Sequence, residues 1–153
     1  MAWHRKAGNQ GDAPAQFDLG TMLAKGRGVS PDDAQAAFWY RKAADQGHII
    51  AQHALGTMYA EGKGVAQDYS SAFFWYRKAA DQGLVAAQKD LSLMYFHGHG
   101  VSQDVVQALA WLILASAGGN ANVGQGRDRI AAQMTPAQIA EAQRMAREWK
   151  PKQ

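Results

Sequence analysis

The chain has 153 residues, a length that suits one domain or one short array of repeats. Its 47% hydrophobic and 19% charged residues argue against disorder, and the absence of cysteine excludes disulfides, thiolate metal sites and a cysteine nucleophile. The excess of 16 Lys and Arg over 13 Asp and Glu is small, so no nucleic-acid partner is expected.

Two stretches of the sequence bear on membrane targeting, and neither has the expected pattern. No apolar stretch follows the charges of residues 1–6, so we expect no signal peptide. The longest apolar run, residues 108–115, is far shorter than the roughly 20 residues that a spanning helix needs. We therefore expect no membrane span and assign this run to a buried helix.

The chain repeats itself every 36 residues. Residues 18–47 match residues 54–83 at 20 of 30 positions, and residues 54–83 match residues 90–119 at 12 of 30. Two residue types mark the period: Trp3, Trp39, Trp75 and Trp111, and Gly11, Gly47, Gly83 and Gly119. Such a period is typical of a solenoid. The recurring tryptophan stands at helical spacing and is predicted to fill the core.

Each repeat is predicted to form a first and a second helix. In the middle repeat, apolar residues within 51–59 share one helical face, and the glycines of 62–64 end that helix. Asp68 offers a capping side chain for the second helix, which carries its own apolar stripe over 72–79 and ends at Gly83. The helices are expected at residues 12–25, 32–46, 49–61, 68–82, 85–97 and 104–117, with closing helices at 120–133 and 136–149.

Proline and small residues refine this prediction. Pro31 after Ser30 and Pro136 after Thr135 indicate helix starts, and residues 135–138 match a capping box. Mid-helix Gly20 and Gly56 cost about 0.5–1 kcal/mol each relative to alanine. We therefore expect a neighbouring helix to approach them closely, at Ala36 and Ala72 respectively, and Ser92 keeps the equivalent position small in the third repeat.

The repeated residues follow a known pattern. They are Ala43-Ala44-Asp45-Gln46-Gly47, Ala51-Gln52, Leu55-Gly56, Met58-Tyr59, Gly62, Gly64-Val65, Asp68, Ala72, Trp75-Tyr76 and Lys78-Ala79-Ala80. In these positions the chain resembles the Sel-1-like repeat (SLR) family, a relative of the tetratricopeptide repeat, over about residues 3–119. Residues 135–149 look like the closing helix that often ends bacterial members.

The resemblance implies an all-α fold, an α/α superhelical solenoid of 36-residue helix-turn-helix repeats with a concave face and C-terminal capping helices. We expect one repeat domain with a partial repeat at 1–10, repeats at 11–46, 47–82 and 83–118, and capping helices at 119–153. The second helix of the third repeat contains the apolar sequence Leu112-Ile113-Leu114, so we expect the terminal helices to cover it. The resemblance also implies a non-catalytic adaptor or scaffold that binds a protein partner.

Other branches of the family leave alternatives open. One is an antidote to a secreted bacterial toxin; another is a cell-wall or small-molecule-binding hydrolase of a penicillin-linked branch, whose paired cysteines this chain lacks. A third is self-association through an open edge at residues 1–10. The compartment stays open: the family is often exported, but we expect the cytoplasm if Met1 is the natural start and the periplasm or cell envelope if it is not.

Three further patterns have plain interpretations. Arg41-Lys42 and Arg77-Lys78 are predicted to complement the negative ends of their helices, with Asp45 and Asp81 offsetting their charge. His97 and His99 stand in a variable turn without a nearby third ligand, so no metal is expected. The catalytic and cofactor-binding motifs sought are absent, so we expect neither an enzyme nor a cofactor.

Comparison between the repeats separates two kinds of position on the first helix. Identical positions are predicted to hold the fold: Ala15/Ala51/Ala87, Gln16/Gln52/Gln88, Leu19/Leu55/Leu91 and Met22/Met58/Met94. Positions that differ and share one helical face are free to bind a partner. From these we predict a binding surface of Phe17, Thr21, His53, Thr57, Ala60, Glu61, Lys89, Leu93, Phe96 and His97. The alternative is that Leu93 and Phe96 pack beneath the terminal helices.

Overall fold

In the computed structural model, which describes residues 2–118 and 123–152, every regular element of the described chain is a helix. The helices are α1 Ala2–Asn9, α2 Ala13–Lys25, α3 Asp33–Asp45, α4 Ile49–Glu61, α5 Tyr69–Asp81, α6 Val85–His97, α7 Val105–Ala117, α8 Gly124–Ala131 and α9 Pro136–Glu148. This confirms the predicted all-α fold of paired helices. The predicted start of α8 at residue 120 and the repeated Gly119 lie outside the described residues.

The chain divides into two compact units, Met1–Trp75 and Tyr76–Gln153, with the boundary inside α5. In the first unit, α2 packs against α1 and α3, and α3 packs against α4. In the second unit, α7 packs against α6, α8 and α9.

The terminal helices cover α7, as predicted from its apolar sequence. Leu112 is buried, and Trp111 meets Trp149 edge-on with 6.2 Å between the ring centroids. The apolar run 108–115 therefore belongs to a buried helix of the second unit. Within the described ranges, each helix is too short or too polar to cross a membrane.

The tryptophan prediction holds for three of the four residues. Trp39, Trp75 and Trp111 are buried, whereas Trp3 is 71% exposed, so its assignment to the core is wrong. A Cβ atom on Gly8 would lie 3.3 Å from the Trp39 ring, which shows that Trp39 packs against α1, the helix before its own repeat. Among the described helices, none precedes α1 to cover Trp3 in the same way.

The polar side chains before the helices confirm most of the predicted starts. Asp68 accepts hydrogen bonds from the backbone amides of Ser70 and Ser71, and Thr135 with Gln138 forms the predicted capping box. The Ser30–Pro31 prediction is wrong, because α3 begins at Asp33 with Asp32 as its cap. The Asp32 side chain accepts the capping hydrogen bond next to the helix, so Pro31 lies outside α3.

Glycine ends the first helix of each repeat, as predicted. Gly26, Gly62 and Gly98 have φ of 64°, 68° and 70°, the left-handed conformation in which a side chain is strained. Gly64 has a second reason to be glycine, since a Cβ atom there would lie 2.2 Å from the Asp33 carbonyl oxygen. The turn of the second repeat therefore lies directly on the start of α3.

The close approach predicted at Gly20 is confirmed, and its principal neighbour is an aromatic ring. A Cβ atom on Gly20 would lie 2.8 Å from Tyr40 Cδ1 and 3.2 Å from the Ala36 carbonyl oxygen. In the third repeat, leucine replaces this tyrosine at Leu112, and Ser92 replaces the glycine. The Ser92 hydroxyl donates a 2.6 Å hydrogen bond to the Ala108 carbonyl. The two positions thus change together.

A buried glutamine connects each repeat to the helix before it. Gln16 Nε2 donates to the Gly8 carbonyl at 2.9 Å, Gln52 to Ala44 at 3.2 Å and Gln88 to Ala80 at 3.3 Å. Each acceptor lies in the last turn of a helix, and it also accepts from the backbone amide of the glycine three residues later, Gly11, Gly47 or Gly83. The glutamines are at most 3% exposed. For the glutamines, this bears out the prediction that the identical positions hold the fold.

We expect Gly20→Ser to lower the free energy of unfolding by about 1–3 kcal/mol, because the added side chain overlaps the Tyr40 ring. In a Tyr40→Leu background, which reproduces the residue pair of the third repeat, the same change should cost clearly less. Chemical denaturation of the four proteins measures the coupling. Equal losses in both backgrounds would contradict the packing argument.

We expect Gln52→Ala to lower the free energy of unfolding by about 2–3 kcal/mol, since it removes a buried hydrogen bond and leaves a cavity. Gln67→Ala is the matched control, because Gln67 Nε2 also donates to a backbone carbonyl, that of Ala60, but on the surface. Its loss should stay below about 1 kcal/mol. Similar losses from the two changes, measured by urea denaturation, would speak against a special role for the buried amide.

Stability should depend on pH through Asp68. Hydrogen bonds from the Ser71 hydroxyl and backbone amide hold the pKa of Asp68 below its usual value. A carboxylate with a lowered pKa in the fold stabilises above its unfolded pKa and loses this effect as the pH falls through the folded pKa. The stability difference between the native chain and Asp68→Ala should therefore shrink between pH 7 and pH 2. A difference that stays constant in thermal denaturation would exclude this contribution.

Candidate functional site

The predicted binding residues all lie at least partly on the surface. Each of the ten is half-buried or exposed, whereas the identical positions beside them are mostly buried. The first unit holds six of them, on α2 and α4, and the second unit holds Lys89, Leu93, Phe96 and His97 on α6. The two groups differ in what their side chains contact.

On α2, the predicted residues are engaged in packing. The Phe17 ring stacks on His48 with 4.7 Å between centroids and lies 5.6 Å from the Tyr40 ring. The Thr21 hydroxyl donates to the Phe17 carbonyl at 3.0 Å and accepts from the Tyr40 hydroxyl at 3.2 Å. Burial raises the pKa of Tyr40, and the bond to Thr21 opposes that shift. These contacts give Phe17 and Thr21 roles in the fold.

On α4, the predicted residues make local polar contacts. The Thr57 hydroxyl donates to the His53 carbonyl at 3.1 Å, and the Ala60 carbonyl accepts from Gln67 at 2.9 Å. Glu61 pairs with Lys63 at 3.0 Å on the surface and raises the pKa of that lysine. This part of the predicted surface is therefore polar and satisfied within its own turn of chain.

The four α6 residues come together in a pocket of about 520 Å³ in the second unit. Leu112 of α7 forms part of the floor. The facing wall comes from α8 and its flanks: Val123, Gly126, Arg129, Ile130, Ala132 and Gln133. Leu93 remains 44% exposed. Helix α8 thus stands opposite Leu93 and Phe96 with the pocket between them, so the two side chains are neither packed beneath α8 nor on an open face.

The floor and the facing wall of the pocket are fixed by close packing. Val123 is 2% exposed and Ile130 5% exposed, so both anchor α8 to the second unit. A Cβ atom on Gly126 would lie 3.4 Å from Leu112 Cδ2, which shows how near α8 lies to α7. Ser92 lines the pocket, but its hydroxyl is bonded to the Ala108 carbonyl. The site is therefore an apolar pocket with a firm base.

The charges around this pocket are of one sign. Lys89 and Arg129 line it from opposite walls, and none of the described residues that line it is Asp or Glu. Residues 76–153 contain 9 Lys and Arg against 6 Asp and Glu, whereas residues 1–75 contain 7 of each. The small positive excess of the chain therefore belongs to the unit that holds the pocket.

Sequence reasoning missed the α8 wall because α8 lies outside the repeats that were compared. A signal was present, since Val123, Gly126 and Ile130 stand at i, i+3 and i+7 and share one helical face. It also missed two exposed aromatic side chains of the first unit, Phe38 and Phe74, which are 50% and 51% exposed. These two occupy equivalent positions on α3 and α5.

The repeated arginines each contact an aspartate and a tryptophan within the fold. Arg41 pairs with Asp45 at 3.1 Å and lies 5.3 Å from the centre of the Trp75 ring. Arg77 pairs with Asp81 at 3.1 Å and lies 5.5 Å from the Trp111 ring. These contacts support the structural interpretation of both arginines. Across the described ranges, no three His, Cys, Asp or Glu side chains are grouped as metal ligands would be.

Comparison with known proteins places these features in context. The model of the family described as "Sel1 repeat" matches residues 1–12, 13–48, 49–84 and 85–120. A crystal structure of a protective antigen from uropathogenic Escherichia coli, described as displaying an SLR fold, is 37% identical with a TM-score of 0.88. A Sel1 repeat protein from Oxalobacter formigenes is 32% identical with a TM-score of 0.83.

The matches cover different shares of this chain and of the matched chains. Each covers 97% of this chain, but only 32% of the Escherichia coli chain and 63% of the Oxalobacter chain. No curated protein matches the sequence. The similarity therefore extends over nearly all of this chain and over only part of each of these two relatives.

Proposed function

This chain belongs to the Sel1 repeat family, and we propose that it is a non-catalytic adaptor that binds a protein partner through the pocket of its second unit. Sel1 repeat proteins generally mediate protein–protein interaction. The proposed contact residues are Lys89, Leu93, Phe96 and His97 of α6, together with the facing residues of α8.

One observation carries this proposal. Leu93 is a large apolar side chain that is 44% exposed at the mouth of an apolar pocket, next to Phe96. Apolar residues that surround a concave site are the usual anchors of a protein interface, where a few of them supply most of the binding energy. The residues at the same two positions in the first unit are threonine and alanine, so this feature is specific to the third repeat.

The packing beneath the pocket favours recognition by a preformed site. Its base is formed by buried residues on three helices, and little side-chain freedom is left there to lose on binding. The first-unit residues of the predicted surface, Phe17, Thr21, His53, Thr57, Ala60 and Glu61, are proposed as peripheral contacts only, because several already serve the fold.

Adaptor and toxin antidote differ in affinity. An antidote must hold one partner with a dissociation constant near or below about 1 nM, whereas an adaptor works at about 1 μM or with several partners. We favour the adaptor, since one pocket of about 520 Å³ provides a small anchor rather than an extensive interface. No feature of the pocket favours the hydrolase alternative, because the hydroxyl of its lining serine donates to a backbone carbonyl.

The proposal is tested by capture of partners from a lysate of the organism that encodes the chain, followed by titration of the captured protein. We expect Leu93→Asp with Phe96→Asp to weaken binding at least about tenfold, as hot-spot changes do. Phe38→Asp with Phe74→Asp is the matched control, since it places the same charges at two other exposed aromatic side chains.

The outcomes separate the two surfaces. Binding that is lost only with the α6 pair supports the pocket, provided that circular dichroism shows the variant to be folded. Binding that is lost only with the Phe38 and Phe74 pair would move the site to the first unit. Titration of the native chain then assigns the adaptor or the antidote from its dissociation constant.

A further inference from the structure

We propose that the pocket of the second unit selects a protein segment in which a large apolar side chain is flanked by Asp or Glu. The inference rests on the proposed function and adds the chemistry of the partner. It is carried by the position of two cationic side chains on opposite walls of an apolar site, Lys89 on α6 and Arg129 on α8.

The apolar part of the preference follows from the lining. Leu93, Phe96, Leu112, Val123 and Ile130 present hydrocarbon to the space between them. A volume of about 520 Å³ accommodates one or two large side chains, and it is well below the size of an extended groove. A side chain such as leucine or phenylalanine that enters this space removes its own apolar surface and that of Leu93 from water.

The acidic part follows from unbalanced charge. Among the described residues, neither Lys89 nor Arg129 has a carboxylate within ion-pair distance, whereas Arg77, Arg144 and Lys152 of the same unit are paired. The carboxylates adjacent in sequence, Asp90 and Asp128, are not among the lining residues. Two cations at the rim of an apolar site attract carboxylates beside the anchor and disfavour a basic segment.

Both walls are needed for this selectivity. Lys89 stands one turn of α6 before Leu93, and Arg129 adjoins the buried Ile130 on α8. An apolar anchor between the walls therefore has a cation on either side, so acidic residues before and after it in the partner meet a positive charge. One acidic residue on each side of the anchor is the simplest match.

The test is selection of random displayed peptides on the full chain, followed by sequencing of those enriched. We expect an apolar residue with Asp or Glu within two positions. Selection on Lys89→Glu with Arg129→Glu should replace the acidic residues by Lys or Arg. Lys25→Glu with Arg27→Glu carries the same charge change on an exposed turn of the first unit and should leave the preference unaltered.

A synthetic peptide from the selected set is then titrated by fluorescence anisotropy. Its affinity should fall at least about tenfold with the charge reversal on the pocket, and the milder pair Lys89→Gln with Arg129→Gln should give a smaller loss. The affinity should also fall as salt is raised, because the rim charges are screened by added ions.

The outcomes distinguish this inference from the function on which it rests. Enriched peptides that are apolar without acidic residues, and are lost with Leu93→Asp plus Phe96→Asp, would overturn the inference and leave the pocket as the site. Peptides that bind the Leu93 and Phe96 variant as well as the native chain would overturn both. If no peptide is enriched and a small apolar carboxylate binds at the pocket instead, the proposal that the pocket binds a protein partner would be overturned.

Discussion

The fold depends on a buried side-chain hydrogen bond that joins each repeat to the helix before it. A buried side-chain amide that lacks a partner costs about 1–3 kcal/mol, so each buried glutamine needs an acceptor at a fixed place. Gln16, Gln52 and Gln88 each supply an amide donor from the next repeat. The bond recurs in both units, so each glutamine fixes the start of one helical pair on the end of another.

This constraint explains which positions vary. A first helix that presents its glutamine, alanine and leucine inward must turn the face of residues 17, 21 and 24 outward, and that face is only partly covered. In the first unit, Thr21 and Thr57 close this face by bonding to carbonyls of their own helices. Leucine at position 93 has no hydroxyl with which to do so. The third repeat therefore exposes hydrocarbon where the earlier repeats present a satisfied polar group.

Much of the fold was predictable because its causes are local. Helix bounds, the left-handed glycines and the caps at Asp68 and Thr135 follow from side chains within a few residues of the feature. The exposure of Trp3 and the facing wall at Arg129 and Ile130 were not predicted, because they depend on which helix lies alongside. Repetition reports what every unit shares, so it does not report which helix lies beside a given residue, and the closing helices take no part in it.

The same reasoning explains why the pocket forms where repetition ends. In a regular repeat, each side chain must fit the residue that it packs against, so a substitution at one position constrains the other. The pairing of Gly20 with Tyr40 illustrates this requirement. At α7, leucine stands where that tyrosine was, and a helix of different sequence, α8, packs on it. The wall that faces Leu93 is therefore free of the repeat and carries its own charge at Arg129. The repeated helices can keep the same contacts throughout. A selective site cannot, because specificity requires contacts that differ from those that build the fold.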